Sequence, residues 1–506
     1  VNSQQEIRAV LEQGIALQKA GDHDAAANLC RDILDISPDN LDALLLLASV
    51  RRSQARFGEA LGLYRKLVEL DPDRPDVWYN RGNLHADRNE LDAAEESYRK
   101  ALALSSHNAG FHANLAIILA RLGDETGAMD HYRTALEIDP QHTIANLNLA
   151  NLLADRGETH SSVALLRKVI ALAPNLAEGH YNLALALLRL GDWTNGFAAY
   201  EWRWKTTLHL DRPAYRDLKE WRGGSFPGRE LIVHAEQGLG DTIQFAKLLG
   251  LAKSLGGDVI FHVPTKLERL MKTLPFDVRV TSAHRASEGD YQVPLMSLPQ
   301  RLKLTPGSIP GQMSYLKAEP ERVAGWRQRL FGNPASDRPL VGLVWRGNPS
   351  SPVEKGRSLS SAADFAPLAA IDGIRLIALQ KLSDHDIEPA EVASGWRVKG
   401  LPFTLEYPGP DFDAGEDAFI DTAAIMVLCA TVISVCTAPL HLAGALGRPA
   451  ISLLKSVPDW RWMMERQRTP WYPTMQLVRQ RPGEDFAPAI ARAAEICRSL
   501  VSSSSE

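Results

Sequence analysis

Blocks begun at Ile7, Leu41, Pro75, Ala109, Thr143 and Ala177 align without a gap, giving six consecutive units of 34 residues. A period of this length marks one supersecondary unit that cannot bury its apolar face alone and must stack on copies of itself. The eighth position of every unit is small (Gly14, Ala48, Gly82, Ala116, Ala150, Ala184), and so is the twentieth (Ala26, Ala60, Ala94, Ala128, Ser162, Gly196). Small side chains at two fixed positions let paired helices approach closely. The twenty-fourth position is larger: Cys30, Tyr64, Tyr98, Tyr132, Leu166, Tyr200. Pro38, Pro72, Pro140 and Pro174 close their units, with Ser106 the exception, while Gly21, Gly123, Gly157 and Gly191 sit at the turn between the two helices.

This pattern resembles the tetratricopeptide repeat. The resemblance implies a superhelix over residues 1–204 whose concave face binds a polypeptide. Four successive units carry asparagine at the sixth position: Asn80, Asn114, Asn148 and Asn182. An amide offers donor and acceptor together, so such a ladder can grip peptide backbone whatever its side chains. The array of O-GlcNAc transferases is similar. The alternative is that each asparagine caps or hydrates an exposed helix face. Glu12 and Leu46 hold the position in the first two units, so the ladder is expected from the third. Trp202 and Trp204 around Arg203 are expected to seal the open end. Self-association through the array stays open.

A chain of 506 residues implies two or three domains. A net charge of −5 gives no electrostatic case for nucleic acid as the main partner. Cys30, Cys429, Cys436 and Cys497 are scattered, forming neither a disulfide framework nor a metal motif, which suits a reducing compartment. The stretch Val1–Glu6 lacks the apolar core of a signal peptide, and the longest apolar run, Thr422–Val435, is too short to span a bilayer. The expectation is a cytoplasmic protein without membrane insertion.

Residues 205–228 lose helical periodicity and carry Pro213, Trp221, Gly223, Gly224, Pro227 and Gly228, reading as a connector packed through Trp221. Two α/β halves follow, 229–335 and 336–506, so the expected class is an α solenoid followed by a pair of Rossmann-like α/β domains with parallel sheets. Expected strands in the first half are Leu231–His234, Val259–Val263 and Tyr291–Leu295. In the second half they are Leu340–Trp345, Arg375–Leu379, Thr431–Val435 and Ala450–Leu454. Helices are expected near Glu321–Leu330, over Ile420–Leu428 and from Leu440 to Leu446. Ligands of open parallel sheets sit beyond the carboxyl ends of strands, and there the notable residues fall: Glu236 to Asp241, Arg346 to Asn348, Gln380 with Lys381, and Cys436 to His441.

The stretch Leu231–Phe245 reads strand, glycine turn, helix. Gly238 and Gly240 punctuate the turn, and a helix N-terminus there favours negative charge. Ile243 stands where a dinucleotide fold needs a third glycine, and no Gly-Lys-Ser/Thr follows, so neither nucleotide motif is present. An ordinary strand-to-helix turn with Asp241 as helix cap is the plainer account.

Residues 234–245, then Leu-Val-Trp-Arg-Gly-Asn-Pro, His-Leu-Ala-Gly-Ala-Leu-Gly-Arg-Pro and Pro-Asp-Trp-Arg-Trp resemble bacterial repeat-plus-glycosyltransferase proteins. Their catalytic half is related to heptosyltransferases of the GT-B fold and, more distantly, to O-GlcNAc transferases. The resemblance implies a nucleotide-sugar donor held by the C-terminal half and an acceptor approaching over the N-terminal half. The acceptor hydroxyl needs a base. Asp241 is the first choice, with helix capping its equal alternative, and Glu236 and His234 come second. Gly238 and Gly240 would let backbone approach the donor. Thr437, Ala438 and the following helix N-terminus would stabilise the leaving phosphate. Lys355 and Arg357 would supply cations, Arg346 and Asn348 would line the same strand ends, and Gln380 and Lys381 would flank base or ribose. His441 matches a family position, although a histidine in an apolar helix is more often packed and satisfied. Trp460, Trp462 and Trp471 read as core or lid.

The related motif begins with Asp where this chain has Cys436, which bears on donor identity and on activity. No metal and no cofactor beyond the donor are expected: Asp384 with Asp386 and Asp411 with Asp413 fit D-x-D but read as surface charge. The leading expectation is therefore a protein O-glycosyltransferase acting on Ser or Thr of a polypeptide, flagellin or another surface protein by resemblance. The alternatives are a heptosyltransferase-like enzyme with a glycan or lipid-linked acceptor, and a non-catalytic scaffold carrying a relic transferase.

Overall fold

The computed structural model describes residues 4–207, 215, 217–283, 289–332, 337–348 and 356–502. Its contacts divide the chain into two compact units, Val1–Gly179 and His180–Glu506. The N-terminal ~200 residues form a helical repeat solenoid, and a region of parallel sheets follows.

In the first unit five helix pairs follow one another: α1 (Gln4–Ala20) with α2 (His23–Ile36), α3 (Leu41–Ser53) with α4 (Phe57–Leu70), α5 (Pro75–Asp87) with α6 (Leu91–Leu104), α7 (Ala109–Leu122) with α8 (Glu125–Ile138), and α9 (Thr143–Asp155) with α10 (Thr159–Leu172). The small eighth and twentieth positions are buried at the helix crossings, as at Ala48, Ala60, Ala94 and Ala116. Gly82 shows why: a Cβ there would lie 2.6 Å from the ring of Tyr98, the large twenty-fourth residue of the same unit. Asp22, Asn40, Asn108 and Asp124 cap their helices by accepting an N–H three residues on. The inter-helix turn is left-handed at Gly21, Gly123 and Gly157, with φ of 86°, 92° and 85°. Two units make the same turn without glycine, at Ala55 (φ 57°) and Asn89 (φ 61°).

The sixth pair, α11 (Ala177–Leu190) and α12 (Trp193–Tyr200), joins the second unit from His180 onward and ends in a 3-10 turn, Glu201–Lys205. The first sheet contains β1 (Lys219–Glu220), β2 (Glu230–His234), β3 (Asp258–His262), β4 (Arg279–Thr281) and β5 (Tyr291–Pro294), parallel throughout in the order β1-β5-β2-β3-β4. The connector therefore supplies an edge strand, with Lys219 opposite Tyr291, besides packing Trp221. Its helices are α13 (Leu239–Phe245), α14 (Leu249–Lys253), α15 (Thr265–Met271) and α16 (Leu298–Arg301), and α17 (Pro320–Phe331) leads onward.

The second sheet contains β6 (Leu340–Val344), β7 (Arg375–Ala378), β8 (Ile387–Pro389), β9 (Trp396–Val398), β10 (Glu406–Tyr407), β11 (Thr431–Val435), β12 (Ala450–Leu454) and β13 (Met475–Arg479), in the order β13-β12-β11-β6-β7-β10-β9-β8. Helices α18 (Ala366–Ala369), α19 (Ile420–Met426), α20 (Ala438–Ala445) and α21 (Ala487–Ser502) complete it. Strands β6, β7, β11 and β12 are buried along their whole length, as strands covered on both faces must be. The sheet is not purely parallel as expected, because β9 runs antiparallel to both β8 and β10. Short connections of this kind need no crossover helix, so they left no helical signal between Gln380 and Tyr407.

Each sheet has a switch point where the chain reverses direction across the sheet: between β2 and β5 in the first, and between β6 and β11 in the second.

Candidate functional site

The turn after β2 ends at Gly238, the N-cap of α13. Asp241 is the third residue inside the helix, and its Oδ2 accepts the Gly238 N–H at 3.0 Å. Its other oxygen accepts from Arg461, on the 3-10 turn Trp460–Trp462 of the second half. Arg461 also donates to Asp459 at 2.9 Å and to Gln244 Oε1 at 3.0 Å, and lies over the Trp460 ring. Asp241 thus combines a capping bond with an ion pair, and its side chain keeps 22% of its surface in solvent.

Glu236 and His234 are committed elsewhere. Arg203 grips the Glu236 carboxylate with two bonds, 3.0 and 2.9 Å, and the Met296 N–H donates to it at 2.8 Å. His234 is buried, shares a 3.0 Å hydrogen bond with Gln292, and is pushed down to about 4 by its desolvation. It is a neutral core ring between β2 and β5.

Gly240 is needed for packing. A Cβ there would lie 3.1 Å from His441 Cδ2 and 3.3 Å from Ala438 Cα, so α13 meets the first turn of α20 at backbone distance. Thr437 is the N-cap of α20, its hydroxyl turned to Ser434 (3.2 Å) and the Val435 carbonyl (3.3 Å). His441 is buried, hydrogen-bonded to the Tyr472 hydroxyl at 3.0 Å and stacked on Trp462, and burial pushes it down to about 3. It is the packed and satisfied histidine of the plainer expectation. Cys436 accepts the Trp462 indole N–H at 3.0 Å, and burial raises its thiol to about 11. Arg357 is close enough for its charge to act on both Cys436 and His441. Lys355 lies outside the described residues.

Gln380 pins the end of β6 by accepting the N–H groups of Trp345 (3.2 Å) and Arg346 (3.0 Å). Arg346 and Asn348 are exposed beyond that strand, and Lys381 donates to the Asp413 carbonyl at 3.1 Å. Asp413 corrects the expectation of surface charge. It is largely buried and accepts the N–H groups of Asp421 (2.8 Å) and Thr422 (3.3 Å), tying down the start of α19. Asp384 and Asp386 are exposed, as expected. Among the described residues no three His, Cys, Asp or Glu side chains converge to hold a metal.

In the first unit Asn80, Asn114 and Asn148 are half-buried. Asn80 donates to the Asp76 carbonyl at 2.8 Å, and Asn114 donates to the Tyr79 hydroxyl and to Asn83, both at 2.9 Å. Asn148 is hydrogen-bonded to Tyr132. Asn182, also half-buried, belongs to the second unit.

Four residues that sequence reasoning passed over are Arg461, Arg203, Tyr200 and Lys247. Tyr200 accepts the Gln237 amide at 3.0 Å. Lys247, buried one turn beyond Gln244, donates to the Trp471 carbonyl at 2.9 Å, and burial lowers it to about 8. For Arg203 and Lys247 the signal was a charged residue inside an otherwise apolar pattern; Tyr200 holds the ordinary large twenty-fourth position of its repeat and gave none.

Two tetratricopeptide repeat models match, one over residues 17–84 and the other over residues 79–143 and 147–201. The N-terminal part of this chain is a tetratricopeptide-repeat array. Such arrays bind peptide or protein partners, which makes this part a protein-interaction scaffold. Protein FlbA of Caulobacter vibrioides is 28% identical over 63% of this chain and 54% of its own length. The chain thus spans about half the length of the curated relative it matches. Among solved structures, pilF of Pseudomonas aeruginosa matches with 18% identity and a TM-score of 0.38, over 41% of this chain and 94% of that one. YrrB, described as a TPR protein with an unusual peptide-binding site, matches with 19% identity and a TM-score of 0.31, over 37% of this chain and 95% of that one. No helix among the described residues is long and apolar enough to cross a membrane.

Proposed function

We propose that the protein is a glycosyltransferase of GT-B type that transfers a sugar from a nucleotide-sugar donor to Ser or Thr of a polypeptide recruited by the tetratricopeptide array. One observation carries this reading. The glycine turn of the first parallel half and the β11–α20 strand end of the second meet, with Gly240 against Ala438 and His441 and with Asp241 bonded to Arg461. Parallel sheets bind ligands at such ends, and here two lie together.

On this reading the acceptor hydroxyl gives its proton to Asp241 as its oxygen attacks the anomeric carbon, and the bond from that carbon to the donor's phosphate oxygen breaks. The phosphate keeps that electron pair. Arg357 and the first turn of α20 stabilise its charge. Flagellin, or another surface protein, is the acceptor suggested by family resemblance, and the cytoplasm is the compartment where nucleotide sugars would be met.

The test is calorimetric titration with UDP, GDP, ADP, CMP and their common sugars, using the whole chain and Arg357→Ala. Binding to one donor class, lost in the variant, is the expected result. No binding to any of them puts the second reading first: a scaffold whose α/β region has lost catalysis. Glu236 and His234, both buried and bonded, favour that reading, as does Cys436 in place of a carboxylate.

A further inference from the structure

The twenty-seventh position of the repeat is apolar and buried in five units, as Ile33, Leu67, Ala101, Ala135 and Val169. In the sixth it is Arg203, whose side chain is 0% exposed. A charge in a core position loses its hydration, and only a near-ideal set of partners offsets that loss. Arg203 has such a set. It makes two bonds to Glu236, one to Glu201 at 2.8 Å and one to the Ser297 hydroxyl at 2.8 Å. Glu236 begins the turn after β2, and the Met296 N–H it accepts lies just past β5. One guanidinium therefore ties together both strand ends at the first switch point. Tyr200, one helical turn before Arg203, holds the next residue, Gln237.

We infer that Arg203 is a positioning residue. It acts through Glu236 and, together with Tyr200 on Gln237, fixes the 235–241 turn whose far end presents Asp241. Leucine would fill the same core position and serve the repeat alone, as it does at Leu67. The sixth repeat is thus a working part of the site as well as the last member of the array. The functional side of this inference rests on the transferase reading of Asp241; the mechanical side does not.

The experiment uses the full chain carrying Arg203→Leu with Glu236→Met, and Glu236→Gln as a second variant. Removing both ions together leaves no stranded charge, because Glu201 keeps its bond to Arg301 at 2.8 Å, so the double variant is expected to melt close to the parent. Hydrogen exchange by mass spectrometry is read in peptides spanning 234–245, and nucleotide release is followed with whichever nucleotide sugar binds in the calorimetric panel. The turn amides are expected to exchange on the order of tenfold faster in both variants while other segments are unchanged. Donor turnover is expected to drop by about tenfold with nucleotide affinity changed much less, because the proposed phosphate contacts, Arg357 and the first turn of α20, belong to the other half. Unchanged protection of the turn in both variants overturns the inference. If the turn loosens but the parent binds no nucleotide, the positioning role stands and the transferase reading falls. Should the double variant fail to fold, Glu236→Gln, which keeps the shape and one acceptor oxygen, decides by the same exchange readout.

Discussion

Arg461 reaches across 220 residues of sequence to bond Asp241, the residue whose chemistry the proposed transfer depends on. The two roles of Asp241, helix capping and proton acceptance, are separable by Asp241→Asn. The amide oxygen can still accept the Gly238 N–H, while the amide nitrogen then faces Arg461, which keeps Asp459, so stability is expected to fall by about 1–3 kcal/mol in chemical denaturation. Transfer, in contrast, is expected to vanish. Arg461→Met strands Asp241 and Asp459 together and is expected to cost more, about 3 kcal/mol.

Gly240→Ala tests the contact between α13 and α20. The added methyl meets His441 at 3.1 Å and the Ala438 backbone at 3.3 Å, and the backbone cannot move aside cheaply. A loss of about 1–3 kcal/mol is expected by thermal or urea unfolding, with weakened nucleotide binding.

Lys247 predicts a pH dependence. Burial lowers its folded-state value to about 8, below the ordinary lysine value of 10.5. The unfolded chain therefore binds more protons between these limits. Stability from this group is complete above about pH 10.5, falls as pH drops toward 8, and is lost below it. Lys247→Met removes this contribution, so the difference in unfolding free energy between the two proteins should change by about 3 kcal/mol across that window. A difference that stays flat from pH 7 to 11 contradicts the desolvation of the Lys247 ammonium.

Ala55 makes the left-handed inter-helix turn that glycine makes in neighbouring units. An L side chain there is strained by about 1–2 kcal/mol. Ala55→Gly is expected to stabilise the first unit by up to about 1 kcal/mol, the gain being reduced by the extra freedom glycine has when unfolded. Gly123→Ala should move stability the other way, and equilibrium melts of both variants check the pair.

Much of this architecture was legible in the sequence because it is periodic or local. Gly82 and Tyr98 sit sixteen residues apart in one unit, and the 34-residue spacing alone reveals that they face each other. Strands such as β6 and β11 announce themselves as short, mostly apolar and β-branched stretches, and the residues at their ends follow from the sequence alone. What escaped was pairing over long distances. Nothing near Asp241 in the sequence points to Arg461, and nothing near Glu236 points to Arg203. Asp413 looked like solvated charge because its polar loop hides that it folds back on α19. The antiparallel edge at β8 to β10 was missed because its strands are two or three residues long, too short for a period to show. Arg203 did leave a trace: it breaks the apolar pattern of the twenty-seventh position, and aligning that column would have exposed it.

That break also bears on how such a chain can evolve. Whole units added or lost among the first five change the reach of the array in steps of 34 residues and leave every contact of Arg203 intact. The sixth unit has no such freedom. A duplication that placed an ordinary repeat in its position would put a leucine or alanine opposite Glu236 and leave a buried carboxylate alone. Length variation among proteins built on this plan should therefore accumulate ahead of residue 177, with the unit bearing the arginine always the last.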